Sequence, residues 1–340
     1  MELSAHLWTI GPRLRHSLHP TKVPPGSPWQ LTVADPQLGS VVLSGALRER
    51  PESEEALVIV HGLGGSMDSH YVMRAAAAAE AAGLSFLRLN LRGSDLKGED
   101  FYHAGLTVDL HAALASPELA RYRRLYLLGY SVGGHLVLRY ATDAVEPSSG
   151  RPPDARVVAV AALCPPLDLA ASSAAFDAPG LWLYRRYVLG NVKRIYAAVA
   201  AHRPVPLPVE EARRIHLLRE WDDRVVAPRH GFAGAADYYG RESVSSWLSA
   251  LRLPALIIAA QADPMVPAAT LLPTLSRDFS GLTVRWLAAG GHVAFPAHAD
   301  TGLGEGPGVE EQVVGWLRQA KKVGAVSEPT PVEIGDCGSV

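Results

Sequence analysis

The chain has 340 residues, of which 48% are hydrophobic and 19% are charged, and its formal net charge is −2. These values are typical of a globular protein with a large core, and they argue against a disordered chain or a strongly basic nucleic-acid-binding protein. The two cysteines, Cys164 and Cys337, are too few for a disulfide framework or a cysteine-based zinc site, and they fit a reducing compartment.

The sequence carries no signal for a membrane or for export. No apolar run approaches the roughly 20 residues of a membrane span. The amino terminus has an early acid and lacks the basic and apolar regions of a secretory signal. We therefore expect a soluble, cytoplasmic protein with no transmembrane segment and no nucleic-acid partner.

The first 50 residues are predicted to be irregular up to a β-hairpin, which pairs residues 29–33 with 40–44. The continuous apolar run at 56–60 then predicts a strand that is buried on both faces of a parallel sheet. From there, apolar strands alternate with helices, as in βαβ units. The further strands are predicted at 84–89, 125–128, 157–163, 255–260 and 283–287, and the helices at 68–82, 106–114, 135–142 and 309–321.

This alternation predicts an α/β fold with a mostly parallel, doubly wound sheet and helices on both faces. Residues 165–250 interrupt the pattern with helical patches rich in aromatic residues and arginine, so we interpret them as a helical cap insertion over one end of the sheet. The α/β core then comprises residues 1–164, including the hairpin, and residues 251–322. Residues 323–340 lack periodicity and are predicted to be a disordered tail.

A candidate nucleophile lies in the segment Gly129-Tyr-Ser-Val-Gly133, which matches the G-x-S-x-G pattern of a nucleophile elbow. An apolar strand precedes Ser131 and a helix follows it, as that pattern requires. The alternative is a plain glycine-rich turn. A serine hydroxyl is a weak nucleophile at neutral pH and needs a base in a fixed tautomer.

The best candidates for the base and its acid are His292 and Asp263. Each follows a predicted strand of the parallel sheet, where the loops at the carboxyl ends converge. The order Ser131, Asp263, His292 is the one expected for hydrolases with a nucleophile elbow. His298 is the alternative base, and Asp168, which also follows a strand, is the alternative acid.

A charge sink for a tetrahedral oxyanion is also predicted. The backbone N–H of Val132, directly after the serine, would supply one donor, and the N–H of Leu63 in a glycine-rich loop would supply another. His61 in that loop has no second histidine or carboxylate at a metal-ligand spacing, so we interpret it as stabilising the loop. We expect no metal and no cofactor.

The chain resembles the α/β-hydrolase superfamily and, more closely, the YheT-like family, which is related to abhydrolase-domain lipid esterases and yeast ethanol acyltransferases. Position 8 holds tryptophan where the family usually has glutamine, and position 262 holds alanine where it often has a second acid. The resemblance implies a carboxylic-ester hydrolase with a cap over its site and no cofactor. The segments that carry it are 5–12, 61–66, 90–94, 102–105, 129–134, 221–232, 237–239 and 290–295.

These observations predict a serine carboxylic-ester hydrolase that acts on short- to medium-chain acyl esters or on lipid esters, with a small molecule as its substrate. Two alternatives remain open: an alcohol O-acyltransferase that uses the same triad, and a non-catalytic binding protein on a hydrolase scaffold. Four aromatic residues of the insertion are candidates for contact with the substrate, although each could equally be packing within the cap. They are Trp182, Tyr184, Trp221 and Phe232.

Overall fold

The computed structural model describes residues 3–143 and 152–320, so the predicted tail at 323–340 lies outside the described residues. One eight-stranded sheet forms the centre of the molecule. Within the described part of the chain, no helix is both long enough and apolar enough to cross a bilayer. The strands are β1 (Ser27–Asp35), β2 (Gly39–Arg48), β3 (Glu55–Val60), β4 (Ser85–Asn90), β5 (Arg124–Tyr130), β6 (Val157–Leu163), β7 (Ala255–Ala260) and β8 (Leu282–Leu287).

The strand order is β1-β2-β4-β3-β5-β6-β7-β8. The hairpin of β1 and β2 is antiparallel and joins β4 in antiparallel fashion, whereas all pairings from β4 to β8 are parallel. The central strands β3, β5, β6 and β7 are almost completely buried because helices cover both faces, which explains their continuous apolar sequences. The predicted α/β fold class is therefore confirmed.

Helices flank the sheet, and six of those in the described chain, α5 to α10, lie between β6 and β7 within residues 165–250. The helices are α1 (Leu3–Leu18), α2 (His70–Ala81), α3 (Thr107–Leu114), α4 (Val132–Thr142), α5 (Leu169–Phe176), α6 (Trp182–Ala200), α7 (Val209–Arg213), α8 (Leu218–Trp221), α9 (Ala227–His230), α10 (Ala235–Glu242), α11 (Ala268–Leu275) and α12 (Val309–Gln319). A π-helical turn, Asp222–Val226, connects α8 to α9.

The prediction that the chain is irregular before the hairpin was wrong, because α1 occupies this region. Gly11 and Pro12 suggest a break, since proline inside a helix removes a backbone hydrogen bond. Tertiary contacts compensate. The His6 ring stacks on that of Tyr184 in α6, and the Arg13 guanidinium lies 3.9 Å from the ring centre of Tyr187. The helix is therefore held by α6 rather than by its own propensity.

The topology brings several loops to one edge of the sheet. The chain runs from β3 outward to β4 and then returns to place β5 on the other side of β3. The carboxyl ends of β3 and β5 thus form a switch point, where loops diverge and leave a crevice. The loops after β7 and β8 open on the same edge because all four strands are parallel.

Candidate active site

Ser131 lies at the sharp turn between β5 and α4, with φ 52° and ψ −122°. A non-glycine residue rarely adopts such angles, and surrounding contacts must enforce them. A Cβ atom on Gly129 would lie 2.1 Å from the Gly133 carbonyl oxygen, and one on Gly133 would lie 2.4 Å from the His61 carbonyl oxygen. Both positions therefore require glycine. The turn projects Ser131 into the crevice at the carboxyl end of β5.

His292 and Asp263 are joined by a hydrogen bond of 2.9 Å between Nδ1 and Oδ2. Both side chains are buried, and the second carboxylate oxygen of Asp263 accepts the backbone N–H groups of Met265 and Val266 at 2.8 and 3.0 Å. Because an ionised carboxylate only accepts hydrogen bonds, Nδ1 of His292 carries the ring proton. Its Nε2 atom is then left with a free lone pair, as a general base requires.

The structure brings Ser131 and His292 to the same cavity, which both residues line. The alternative acid and the alternative base suggested by the sequence lie elsewhere. Asp168 is the N-cap of α5, where its carboxylate accepts the Ala171 N–H at 2.9 Å. His298 is exposed and lies outside the cavity lining.

The loop after β3 presents backbone donors beside Ser131. The N–H of Gly62 donates to the Tyr71 hydroxyl at 3.1 Å, and that of Gly64 donates to the Tyr102 hydroxyl at 2.7 Å. The amide between them, on Leu63, has no acceptor within residues 3–143 and 152–320. Val132 begins α4, so its N–H has no partner inside the helix. Leu63 and Val132 both line the cavity.

His61 stabilises this loop through hydrogen bonds at both ring nitrogens. Its Nδ1 donates to the Gly62 carbonyl at 2.8 Å, and its Nε2 accepts the Leu91 N–H at 3.0 Å. Burial lowers the pKa of His61 to about 4, so the ring is neutral and can serve both partners. The supporting tyrosines were missed by sequence reasoning, because a tyrosine many positions away carries no local signal of a hydrogen bond to a loop.

Cys164 lies next to the His292–Asp263 pair, and the potential ligand atoms of the three residues lie within 4.8 Å of one another. The carboxylate oxygens of Asp263 already serve His292 and two backbone amides. Burial, reinforced by the Asp263 charge, raises the pKa of the Cys164 thiol well above its usual value. Because metals bind the thiolate, a protonated thiol makes this trio a poor metal site.

Helix α1 supports the loop that carries His292. The backbone N–H of His292 donates to Oγ1 of Thr9 at 2.9 Å, and the same hydroxyl donates to the Ala5 carbonyl at 2.9 Å. A Cβ atom on Gly291 would lie 2.4 Å from both the Ala5 carbonyl and the Thr9 hydroxyl, so the loop and helix are in close contact. Sequence reasoning gave Thr9 no role because it predicted no helix there.

A buried charge network connects the loop after β4 to α9. The Arg92 guanidinium contacts Asp35 at 2.6 Å, Asp100 at 3.1 Å and Asp109 at 2.6 Å. Asp100 in turn pairs with Arg229 of α9 at 2.8 Å. Burial opposes ionisation of Asp35, but the hydrogen bond and charge of Arg92 leave the pKa of that carboxyl below its usual value. One arginine thus ties together the hairpin, the loop after β4 and α3.

The cavity has a volume of about 790 Å³ and lies between the loops of the sheet and residues 165–250. Of the four aromatic residues proposed for substrate contact, Tyr184 and Trp221 line it. Trp182 and Phe232 lie outside the lining. Trp182 is 53% exposed on the outer surface of α6, and the Phe232 ring packs against those of His103 and Tyr238.

Comparison with known proteins gives a consistent family. A family model described as "alpha/beta hydrolase fold" matches residues 55–299. The chain is 32% identical over 223 residues to the "Putative esterase YheT" of Escherichia coli (strain K12), a match that covers 62% of either protein. It is 25% identical over 241 residues to "Medium-chain fatty acid ethyl ester synthase/esterase 2" of Saccharomyces cerevisiae, which covers 62% of this chain and 51% of that protein. The chain therefore spans only about half to three fifths of the length of these relatives.

Solved structures agree on the fold. The crystal structure of 2,6-dihydroxy-pseudo-oxynicotine hydrolase superposes with a TM-score of 0.55 at 17% sequence identity, covering 88% of this chain and 70% of that one. The α/β hydrolase GrgF from Penicillium sp. sh18 gives a TM-score of 0.54 at 17% identity, covering 87% and 99% of the two chains.

Proposed function

The chain belongs to the α/β-hydrolase family, and on that premise we propose that it is a serine carboxylic-ester hydrolase. The observation that carries the proposal is the 2.9 Å bond between His292 and Asp263 in the cavity that Ser131 also lines. Fold alone does not determine activity, but a nucleophile, a base with a fixed tautomer and free backbone donors at one site support this chemistry.

In the proposed reaction, Nε2 of His292 takes the proton of the Ser131 hydroxyl while the serine oxygen attacks the ester carbonyl carbon. The N–H groups of Leu63 and Val132 donate to the resulting oxyanion. The tetrahedral intermediate collapses when the imidazolium returns the proton to the leaving alcohol, which leaves an acyl-serine. Water, activated by the same histidine, then releases the carboxylic acid and regenerates the serine.

The lining of the cavity favours apolar acyl groups. Side chains such as Phe176, Val188 and Leu218 contribute to it from the insertion, and they belong to or pack against one small apolar cluster. We propose that residues 165–250 act as a cap over the site and that the substrates are short- to medium-chain acyl esters or lipid esters. A cavity of about 790 Å³ falls in the range of pockets that enclose small-molecule ligands.

The test combines covalent labelling with substitution of the nucleophile. A fluorophosphonate probe should label Ser131, and the adduct should be located by mass spectrometry of the digested protein. Ser131→Ala should abolish labelling and lower kcat/KM for p-nitrophenyl butyrate by about 10⁴-fold or more, with an unchanged circular dichroism spectrum. Labelling at another residue, or full activity of the variant, contradicts the proposal. A wild-type protein that neither reacts with the probe nor cleaves esters supports the non-catalytic alternative.

Alcohol acyl transfer is the second candidate, because one relative is named as both an ethyl ester synthase and an esterase. The residues would be the same, and an alcohol would replace water in the second step. Product analysis with increasing ethanol separates the two. A dominant ethyl ester at low ethanol supports transfer, whereas free acid as the main product supports hydrolysis.

A further inference from the structure

A group of polar side chains lies on the insertion side of the cavity and has no part in the proposed triad. Helix α5 lines the cavity with residues spaced three or four apart, which form one face of the helix. Two of them are hydroxyls, on Ser172 and Ser173. With Asp222 and Tyr239, which also line the cavity, they form what we call the Asp222 cluster.

The cluster is connected by short hydrogen bonds. The Tyr239 hydroxyl lies 2.6 Å from Oδ2 of Asp222 and 2.9 Å from Oγ of Ser173. A distance of 2.6 Å is typical of a hydroxyl that donates to an ionised carboxylate. Tyr239 therefore donates to Asp222, and Ser173 donates to Tyr239. In this direction of donation, Asp222 is the last acceptor of the series. Its Oδ1 atom accepts no hydrogen bond from residues 3–143 and 152–320.

Two features of the cluster indicate that its polar groups lack a binding partner. Asp222 is 9% exposed, and no cationic side chain of the described chain forms an ion pair with it. Burial, with Asp177 nearby, raises the pKa of Asp222 to about 7 against the effect of the Tyr239 hydrogen bond. The Oγ atom of Ser172 is also buried, and it has no hydrogen-bond partner within the described chain. Buried polar groups normally have partners.

We propose that the Asp222 cluster binds an ammonium group of the substrate, with Asp222 as its counter-ion and Ser172 as a hydrogen-bond acceptor. This inference rests on the proposed function, and it adds that the favoured esters carry a protonated amine distant from the scissile bond. Trp221, Tyr238 and Tyr239 also line the cavity, and aromatic faces attract cations. One cation, the Arg219 guanidinium, already lies 5.9 Å from the centre of the Tyr239 ring.

A charged ligand fits better than a neutral hydroxyl for an electrostatic reason. Above pH 7 Asp222 is mainly ionised, and a hydroxyl would then use one of its hydrogen bonds but leave the buried negative charge uncompensated. An ammonium group supplies both the donors and the opposite charge. The π-helical turn that begins at Asp222 is also of a type often found at functional sites.

The experiment compares two probes of equal length, hexylammonium and 1-hexanol, as inhibitors of p-nitrophenyl butyrate hydrolysis at pH 8. In the wild-type protein, we expect the inhibition constant of hexylammonium to be about tenfold or more below that of 1-hexanol. Asp222→Asn should remove this preference. Asp278→Asn, which removes an exposed carboxylate outside the cavity lining, is the matched control and should retain it.

Equal inhibition by the two probes in the wild-type protein would overturn the proposal, and so would an unchanged preference in Asp222→Asn. Stronger inhibition by 1-hexanol would assign a hydroxyl subsite instead. The wild-type comparison decides even if Asp222→Asn does not fold. Calorimetric titration of Ser131→Ala with hexylammonium gives the same answer without turnover. Binding there in the absence of any wild-type esterase activity would refute the proposed function and leave the ammonium site standing.

Discussion

The two walls of the cavity are built on different principles. On the wall formed by the sheet loops, Asp263 is held by two backbone amides, and the loop after β3 is held by two tyrosine hydroxyls. The wall formed by residues 165–250 is mainly apolar, and its polar residues include the Asp222 cluster, Asn191 and Arg194. We infer that the first wall determines the rate for every ester, and that the second determines which ester is preferred.

The strongest test of this division is Asp263→Asn. An amide cannot accept the Nδ1–H of His292 as a charged partner and favours the wrong tautomer, so we expect kcat/KM to fall by roughly 10³- to 10⁴-fold. The loss should be the same for p-nitrophenyl esters from acetate to decanoate. A loss that varied strongly with chain length would break the comparison.

The buried carboxyl of Glu242 gives a test through the pH dependence of stability. Glu242, at the end of α10, is buried above Gly105, and one of its oxygens lies 3.7 Å from the Arg139 guanidinium. Burial raises the pKa of Glu242 to about 7 although two arginines oppose this. Between about pH 4.5 and pH 7, the Glu242 carboxyl is mainly protonated in the folded protein and mainly ionised in the unfolded chain. Unfolding therefore releases a proton in this pH range. The stability of the wild-type protein should therefore decline across that window.

Glu242→Gln removes this titration. The free energy of unfolding of the variant, relative to that of wild type, should therefore increase from pH 5 to pH 8 by up to about 3 kcal/mol. Urea unfolding at both values measures the difference. The same relative stability at pH 5 and pH 8 would show that the carboxyl does not titrate in this range.

A smaller effect is expected from Trp221→Leu. This substitution removes an indole from the wall formed by residues 165–250, so kcat/KM for the decanoate ester relative to the butyrate ester should rise about tenfold. Trp182→Leu is the control, because Trp182 lies outside the lining. Equal changes of this ratio in the two variants, or a uniform fall of kcat/KM for all esters in Trp221→Leu, would contradict the assignment of ester preference to this wall.

The smallest predicted effect concerns Thr9→Val. Valine has the shape of threonine but cannot accept the His292 N–H, so the loop is less firmly held. We expect kcat to fall about threefold to tenfold with little change in KM, since a charge-neutral hydrogen bond contributes about 1 kcal/mol. Thr9→Ser should retain most of the activity. A change confined to KM would argue against a positioning role.

The sheet and its loops were predictable from local patterns. Buried parallel strands have continuous apolar sequences, and the glycines around Ser131 reflect a steric requirement within a few residues. The strands along the chain, and the positions of Ser131, Asp263 and His292 after three of them, could therefore be predicted from the sequence. The remaining features depend on contacts between residues far apart in the chain, which leave no periodic signal.

Helix α1, the hydroxyl of Thr9 and the supporting tyrosines belong to this second group. So does the assignment of aromatic residues to the cavity: Trp182 and Tyr184 are two positions apart on α6, yet only Tyr184 lines it. Composition indicates that a segment is aromatic, but it does not indicate which side of a helix faces the interior. The Asp222 cluster joins residues on three elements, so no sequence window contains it.

The contact between α1 and the His292 loop has a practical consequence for protein production. Affinity tags are commonly fused to the amino terminus, and shortened chains commonly start at the first predicted strand. Here either choice would introduce a change in or beside α1, whose Thr9 hydroxyl accepts the backbone N–H of His292. Kinetic constants from chains shortened within α1 should therefore not be compared with those of the chain that retains this helix.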